Sequence, residues 1–330
     1  MLAIAHGGGG LHGTPYTNSF EALDASYARG FRWFELDFKR TADGAVACRH
    51  DWGDFGGRAP TLAGLRERFV GWFTPVDAEG LAAWVAAHPD ATLVTDVKEA
   101  DQVPVLADLA AAGVPRDRTV VQLFGPEEAA RVDALGFARR SIILYRYGGS
   151  LHALRRFVTP GTAVGLSVAQ ALAGTHRRLP GCVPWAYTVN RASLVRHLVG
   201  VGVQGVFTDD LAPGTAGLTA TPRFALFAYG TLLDEETQRA VLGRTVARTP
   251  DALTGYALSW LEERDASAVA TSGVVRHRIA HPSPGGRVEG GVLTLTAEEL
   301  ARADAYEGED YARVRVVLAS GRPAWLYRAR

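Results

Sequence analysis

The chain has 330 residues, 47% of them hydrophobic and 21% charged, a composition that suits a globular protein with a sizeable buried core. Lysine plus arginine and aspartate plus glutamate number 35 each, and the balance holds in both halves, so the basic excess of a nucleic-acid-binding chain is missing. No apolar run approaches the ~18 residues of a membrane span, and Cys48 and Cys182 are too few for a disulfide framework or a thiolate metal site.

The opening MLAIAH lacks the basic n-region of a secretory signal and reads as a strand, which makes the cytoplasm the expected compartment. It runs into GGGGLHG, where Gly8, Gly10 and Gly13 fit a G-x-G-x-x-G fingerprint and Glu35 and Asp37 follow at about the ~20 residues of a ribose-binding acid. Thr14 and Pro15 separate these glycines from the next helix, no lysine follows Gly13, and no G-x-S-x-G elbow occurs. A dinucleotide site, a Walker loop and an esterase are therefore all disfavoured. The glycines are expected to form a flexible loop beside His6, with room and backbone donors for a ligand.

TNSFEALDASYARG reads as a helix, with Asn18 or Ser19 as its N-cap and Gly30 at its stop. The strand FRWFELDF follows, and later strands are TLVTDVKE, TVVQLF, SIILYRY, AVGLSVA, VPWAYTVN and GVFTDD. Helical stretches such as LAAWVAAHPD, VPVLADLAAAG, PEEAARVDALG, LHALRRFV and RASLVRHLVG lie between them. Counting LAIAH, eight strands alternate with helices, which predicts an α/β fold with a parallel sheet closed as a (β/α)8 TIM barrel; an open doubly wound sheet is the runner-up. The small, polar, proline-broken stretch LAPGTAGLTATPR marks a linker over 213–222, between a barrel of residues 1–212 and a smaller domain of residues 223–330. The second domain, with FALFAYG, DEETQRAVLG, ALSWLEE, GVVRHRI, EGGVLTLT, TAEELARADAYEG, RVRVVLA and AWLYRA, is expected to be α+β with a mainly antiparallel sheet.

Side chains alternate faces along a strand. In FRWFELDF, Phe34, Leu36 and Phe38 take the helix-facing side and Glu35 and Asp37 the other. The same reading of TLVTDVKE places Asp96 and Lys98 toward the same barrel mouth. Three convergent acids repel one another in a partly dry site and require a cation; oxygen-only ligands point to Mg²⁺ or Ca²⁺. The alternative is that these acids sit at strand ends in water or pair with some of the many arginines. His6 ends the first strand and His50 ends AVACRHD, so both imidazoles can face such a cation from the carboxyl ends of the strands.

AHGGGG with NSFEAL, ELDFKRTADGAVACRHD, the D-x-K of TDVKEA, AYTVN and GVFTDD together resemble glycerophosphodiester phosphodiesterases and the wider phospholipase-C-like barrel phosphodiesterases. The resemblance covers about residues 1–212. It implies that His6 and His50 are the acid/base pair, that Glu35, Asp37 and Asp96 hold a divalent metal, and that Lys98 meets a phosphate oxygen. It also implies a small-molecule phosphodiester substrate, cleaved to glycerol 3-phosphate and an alcohol. Two positions depart from the family: Gly7 stands where it has arginine, and Asp96 where it has glutamate.

FAYGTLL, VEGGVLTLTAEEL and ADAYEGEDYARVRV resemble the γ-glutamylcyclotransferase-like fold, including γ-glutamylamine cyclotransferases, over about residues 223–330. This resemblance implies a turn of Tyr229, Gly230, Thr231 and Leu232 that holds the carboxylate of a γ-glutamyl compound, with Glu307 as general base. The competing expectation is a barrel that only binds ligand or regulates, leaving the C-terminal domain as the sole enzyme.

Overall fold

The computed structural model of the chain describes residues 1–159, 161–220, 223–262, 276–308 and 311–329. The chain divides into two compact units, Met1–Thr221 and Pro222–Arg330.

In the first unit, eight parallel strands close into a barrel. They are β1 (Leu2–Ala5), β2 (Trp33–Arg40), β4 (Thr92–Val97), β5 (Thr119–Leu123), β6 (Arg139–Ile143), β7 (Ala163–Ser167), β8 (Val183–Tyr187) and β9 (Gly205–Thr208). The ring shuts where β1 lies between β2 and β9, with Leu2 opposite Gly205 and Ala5 opposite Thr208. A short strand, β3 (Val46–Cys48), pairs antiparallel with the far end of β2. The (β/α)8 expectation is met and the doubly wound alternative falls away.

The helices include α1 (Phe20–Ala28), α3 (Ala78–Ala87), α4 (Val103–Ala111), α5 (Ala129–Ala134) and α8 (Ala192–Gly200). Ser19, not Asn18, caps α1 by accepting from the Ala22 amide. The outward residues Phe34, Leu36 and Phe38 are buried with Leu81, Val85 and Leu106 beneath this helical layer. Each such side chain contributes roughly 1.5–3 kcal/mol by leaving water. Two short helices, α2 (Leu62–Arg68) and α7 (Val168–Leu172), carry no amphipathic stripe long enough to show in the sequence; Thr61 and Ser167 cap them. α6 (Leu151–Leu154) is a single turn within LHALRRFV. Ala47, Trp52, Leu65 and Phe69 form a small separate core under the segment that bears His50.

The glycines after β1 are packed rather than open. Gly7, Gly8 and Gly9 are buried with φ of 57°, 81° and 97°, a region that only glycine enters without strain. A Cβ on Gly7 would lie 2.9 Å from the Tyr16 Cα. The amides are engaged as well, Gly9 with the His6 carbonyl and Gly10 with that of Asp209. Packing on the barrel also extends past residue 212: Leu218 is buried in the barrel's outer core, and the Thr219 amide donates to the Met1 carbonyl. A single leucine in a polar, proline-broken run is too weak a signal to reveal this from composition.

The second unit is a five-stranded sheet in the order β11-β12-β10-β14-β13. Its strands are β10 (Phe224–Ala228), β11 (Arg248–Glu262), β12 (Arg276–Leu295), β13 (Tyr311–Val317) and β14 (Pro323–Ala329). All pairings are antiparallel except β10 with β14. Helices α9 (Glu235–Leu242) and α10 (Ala297–Glu307) supply Leu242, Leu300 and Ala303 to its core. The stretches ALSWLEE and EGGVLTLT belong to β11 and β12, which run much longer because a register shift between Thr254 and Tyr256 absorbs the glycines without ending the ladder. The first residues of GVVRHRI lie outside the described residues.

Candidate functional site

Parallel pairing sets Asp37 of β2 directly beside Asp96 of β4, and strand alternation brings Glu35 onto the same inner face. All three acids are buried, and one carboxylate oxygen of each lies within 4.8 Å of the others. The sequence places them together and the structure agrees. Asp37 is fixed by Asn18, whose Nδ2 donates to Oδ2 at 2.9 Å and whose Oδ1 accepts from the Asp37 amide. The Gly7 amide donates to Glu35 Oε2 at 2.9 Å.

Lys98 does not stand apart waiting for a ligand. Its Nζ lies 2.8 Å from Asp37 Oδ1 and 2.6 Å from Asp96 Oδ2, so it already offsets part of the acidic charge. Asp96 Oδ1 is buried without a hydrogen bond, and Arg146 Nη1 approaches it only to 3.7 Å. Three convergent carboxylates, all hard oxygen donors, with one buried oxygen still unpartnered, form a set that fits a divalent cation of the Mg²⁺ or Ca²⁺ type.

Burial, and then the neighbouring Asp37 charge, push the Glu35 carboxyl well above the usual range, with His6 pulling the other way. Burial likewise raises Asp96 against the pull of Lys98. Burial alone would lower Lys98, but the Asp37 and Asp96 charges override it and raise its affinity for a proton.

His6 is buried where the chain leaves β1, in a short turn and not in the strand itself. Its Nδ1 lies 2.9 Å from Asp209 Oδ1, and its Nε2 lies 4.0 Å from Glu35. Asp209 is held in turn by Asn190, which donates to its Oδ2 at 2.6 Å and accepts from its amide. A carboxylate against Nδ1 selects the tautomer that carries the proton there and leaves Nε2 turned to the acids. Burial disfavours the imidazolium, but the Asp209 hydrogen bond and the Glu35 charge outweigh it and raise His6.

His50 lies two residues beyond β3, exposed, with Nδ1 3.0 Å from Asp51. The Tyr16 ring sits between the two imidazoles, 4.6 Å from His6 and 5.1 Å from His50 by ring centroids. Both histidines thus border the same mouth, one inside it and one at its rim. Tyr16 and Asn18 adopt φ of 59° and 49°, strained for a tyrosine and tolerated by an asparagine.

Sequence reading missed Asp209, Asn190, Asn18 as a ligand holder, and Arg146. A usable signal existed for Asp209: it follows β9 on the alternation of Gly205 and Phe207 and so points inward at the carboxyl end.

In the second unit, Glu307 closes α10 at a half-buried position. Loss of surrounding water pushes its carboxyl up to about 8, and Asp304 adds to the effect. The residues after β10 turn at Gly230, and Leu232 is buried in the core. The Thr231 hydroxyl meets the Tyr306 hydroxyl at 2.9 Å. Among the described residues, the amides of Gly230, Thr231 and Leu232 meet no hydrogen-bond acceptor. The Tyr229 side chain is structural: its hydroxyl donates to the Tyr327 carbonyl at 2.7 Å and accepts from the Ala280 amide at 3.0 Å, tying β10 to β14 and β12. Burial, and to a smaller degree the Glu307 charge, raise that phenol.

Comparison with known proteins adds to this geometry. Residues 226–330 match the family described as gamma-glutamyl cyclotransferase, AIG2-like. A solved glycerophosphodiester phosphodiesterase from Parabacteroides distasonis is 18% identical, with a TM-score of 0.51 covering 63% of this chain and 92% of that one. A phosphodiesterase from Oleispira antarctica, solved with the product sn-glycerol-3-phosphate, is 19% identical, with a TM-score of 0.50 covering 63% of this chain and 93% of that one. Curated proteins gave no significant match. The barrel therefore has the fold of these phosphodiesterases and is followed by a smaller domain that matches the gamma-glutamyl cyclotransferase, AIG2-like family. Among the described residues, no helix is long and apolar enough to cross a membrane.

Lys98→Met strips the acids of their internal cation. It is expected to lower stability by roughly 3 kcal/mol in metal-free buffer, since a buried charge is left uncompensated. Millimolar Mg²⁺ or Ca²⁺ should restore more of the melting temperature in the variant than in the wild type, as thermal melts in each buffer will show.

Glu307 gives a prediction with a defined sign. From its ordinary 4.5 up to about 8, the folded chain keeps a proton that the unfolded chain has released, so stability falls as pH rises through that window. Glu307→Gln removes the loss, and the variant should gain on the order of 1–3 kcal/mol over wild type between about pH 5 and pH 8.5. Melts of the C-terminal transition across that range measure the difference.

Proposed function

We propose that the barrel hydrolyses a glycerophosphodiester to glycerol 3-phosphate and an alcohol. The observation that carries this reading is the convergence of Glu35, Asp37 and Asp96 beside His6 at the carboxyl end of a barrel with the phosphodiesterase fold. Those three acids are the ones that would hold a divalent cation. Such an ion, when bound, supplies charge to screen a nonbridging phosphate oxygen and lowers the pKa of a nearby hydroxyl.

The remaining work falls to the chain. His6, oriented by Asp209, presents Nε2 to the mouth and takes the proton of the neighbouring glycerol hydroxyl as it attacks phosphorus; after the alcohol has left, water opens the cyclic phosphate and yields glycerol 3-phosphate. His50, at the rim, carries the complementary proton for the departing alkoxide, where an alcohol can leave into water. Lys98 steadies the carboxylates and, once a cation takes over that duty, is placed to meet a phosphate oxygen. The buried walls keep bulk water away from the acids and strengthen each charge interaction. The balanced charge of the chain favours a small diester over a nucleic acid.

The family match over residues 226–330 supports a second activity, release of 5-oxoproline from a γ-glutamyl compound. In this reading the free amides of Gly230, Thr231 and Leu232 hold the substrate carboxylate. Glu307, whose raised pKa makes it a competent base near neutral pH, takes a proton from the α-ammonium. The amine then attacks the γ-carbonyl, the γ-linked group departs with a proton, and the ring closes.

A release assay over glycerophosphodiesters and γ-glutamyl compounds, with and without EDTA, tests both. Phosphodiester hydrolysis should vanish with EDTA and fall about 10²- to 10⁴-fold in His50→Ala or His6→Ala. Release of 5-oxoproline should ignore EDTA and require Glu307. Tight ligand binding without turnover in the barrel would make it a binding shell and refute the first activity.

A further inference from the structure

Arg146 lies just beyond β6, in a turn where its amide donates to the Ile143 carbonyl, and so belongs to the barrel end that carries Asp37, Asp96 and Lys98. The guanidinium sits over the Phe124 ring, 5.0 Å from its centroid, while 40% of the side chain remains exposed. Among the described residues, its one ionic partner is Asp96 Oδ1 at 3.7 Å, beyond hydrogen-bond length, and its side chain makes no hydrogen bond. Lys98, the other cation at the acids, is committed to two carboxylates at 2.8 and 2.6 Å. Among the described residues, then, Lys98 is held by two short charge-assisted contacts, whereas the donors of Arg146 make no hydrogen bond.

Taking the barrel as a phosphodiesterase, we propose that Arg146 is its anion-gripping residue: it leaves Asp96 and binds the nonbridging oxygens of the substrate phosphate through its planar fork. Three features support this. The fork matches two phosphate oxygens at once, which an ammonium cannot do. The Phe124 face fixes the plane of the guanidinium, so little side-chain freedom remains to be lost on binding. The contact that must be given up is long, partly solvated and not hydrogen-bonded, so it is weak.

A consequence separates this role from simple charge balance. When a divalent cation engages Asp96, Arg146 loses that ionic contact and is released for an anion; cation and phosphate should then bind cooperatively through this residue. The guanidinium also opposes the incoming cation, so its removal should leave cation binding equal or tighter.

The test is calorimetric titration of the full-length protein with Mg²⁺ alone, then with inorganic phosphate and with sn-glycerol 3-phosphate, each with and without Mg²⁺, in wild type, Arg146→Ala and Arg146→Lys. Arg146→Ala should weaken both phosphate ligands about 10- to 100-fold, the loss of one or two charge-assisted hydrogen bonds. Arg146→Lys should recover part of that affinity, while Mg²⁺ binding and the melting temperature should not fall. Unchanged phosphate affinity in Arg146→Ala overturns the assignment, as does a parallel loss of Mg²⁺ binding or of folding, which would mark a structural role. Wild-type protein that neither binds these phosphates nor cleaves a diester overturns the phosphodiesterase reading itself, and the assignment falls with it.

Discussion

Three carboxylates forced into one dry space are the constraint from which the rest of the barrel site follows. The adjacency of Asp37 and Asp96 is a product of parallel register, since the two residues face each other across β2 and β4. A one-residue slip of β2 would turn Glu35 and Asp37 into the helical layer and expose Phe34, Leu36 and Phe38 to the barrel interior. The same register that builds the apolar shell therefore concentrates the charge, and Lys98, Asn18 and the Gly7 amide are the means by which the chain tolerates it. These contacts leave one oxygen of Asp96 unanswered. A polypeptide with charge still to be neutralised at a single buried point is one that favours a cation arriving there.

The histidines show two different levels of preparation. His6 has its ring position set by Asp209, which Asn190 secures in turn, so its orientation is inherited from a chain of hydrogen bonds across the last two strands. His50 rests on a short segment over a separate small core, where it meets its neighbour Asp51 and the Tyr16 ring. One imidazole stands deep among the acids and the other at the rim, which is where the proposed hydrolysis would need a proton acceptor and a proton donor. In the second unit the half-buried Glu307 carboxylate has a like charge beside it in Asp304, and among the described residues the amides of Gly230, Thr231 and Leu232 meet no acceptor.

Much of this was readable from residues alone. Period-two alternation in FRWFELDF and TLVTDVKE puts Glu35, Asp37 and Asp96 on one face, because strand geometry leaves no other choice. The eight-fold alternation of strands and helices yields the barrel for the same reason. The contacts made by loops were not readable. The four glycines suggest openness, yet Gly7 and Gly9 are packed against Tyr16 and the α1 residue Ser26, and that depends on how the chain returns nine and seventeen residues later, which no local pattern encodes. Asn18 offers a cap by its type, but a positive φ turns its amide group to Asp37 instead. Arg146 was invisible for a related reason, since its one charged contact lies fifty residues back in sequence, and the alternation that turns Asp209 inward says nothing of the His6 imidazole it will meet.

The seam of the barrel has a consequence for how the protein comes into being. The first strand has no neighbour on one flank until the last strand is made, and Met1 is secured by Gly217 and Thr219 at the far end of the barrel sequence. On a ribosome, His6 emerges about two hundred residues ahead of the aspartate that will orient it, and it waits with a half-built wall around it. Closing the ring and bringing Asp209 to His6 are thus one event, so the buried cluster is complete only when the last strand has been added.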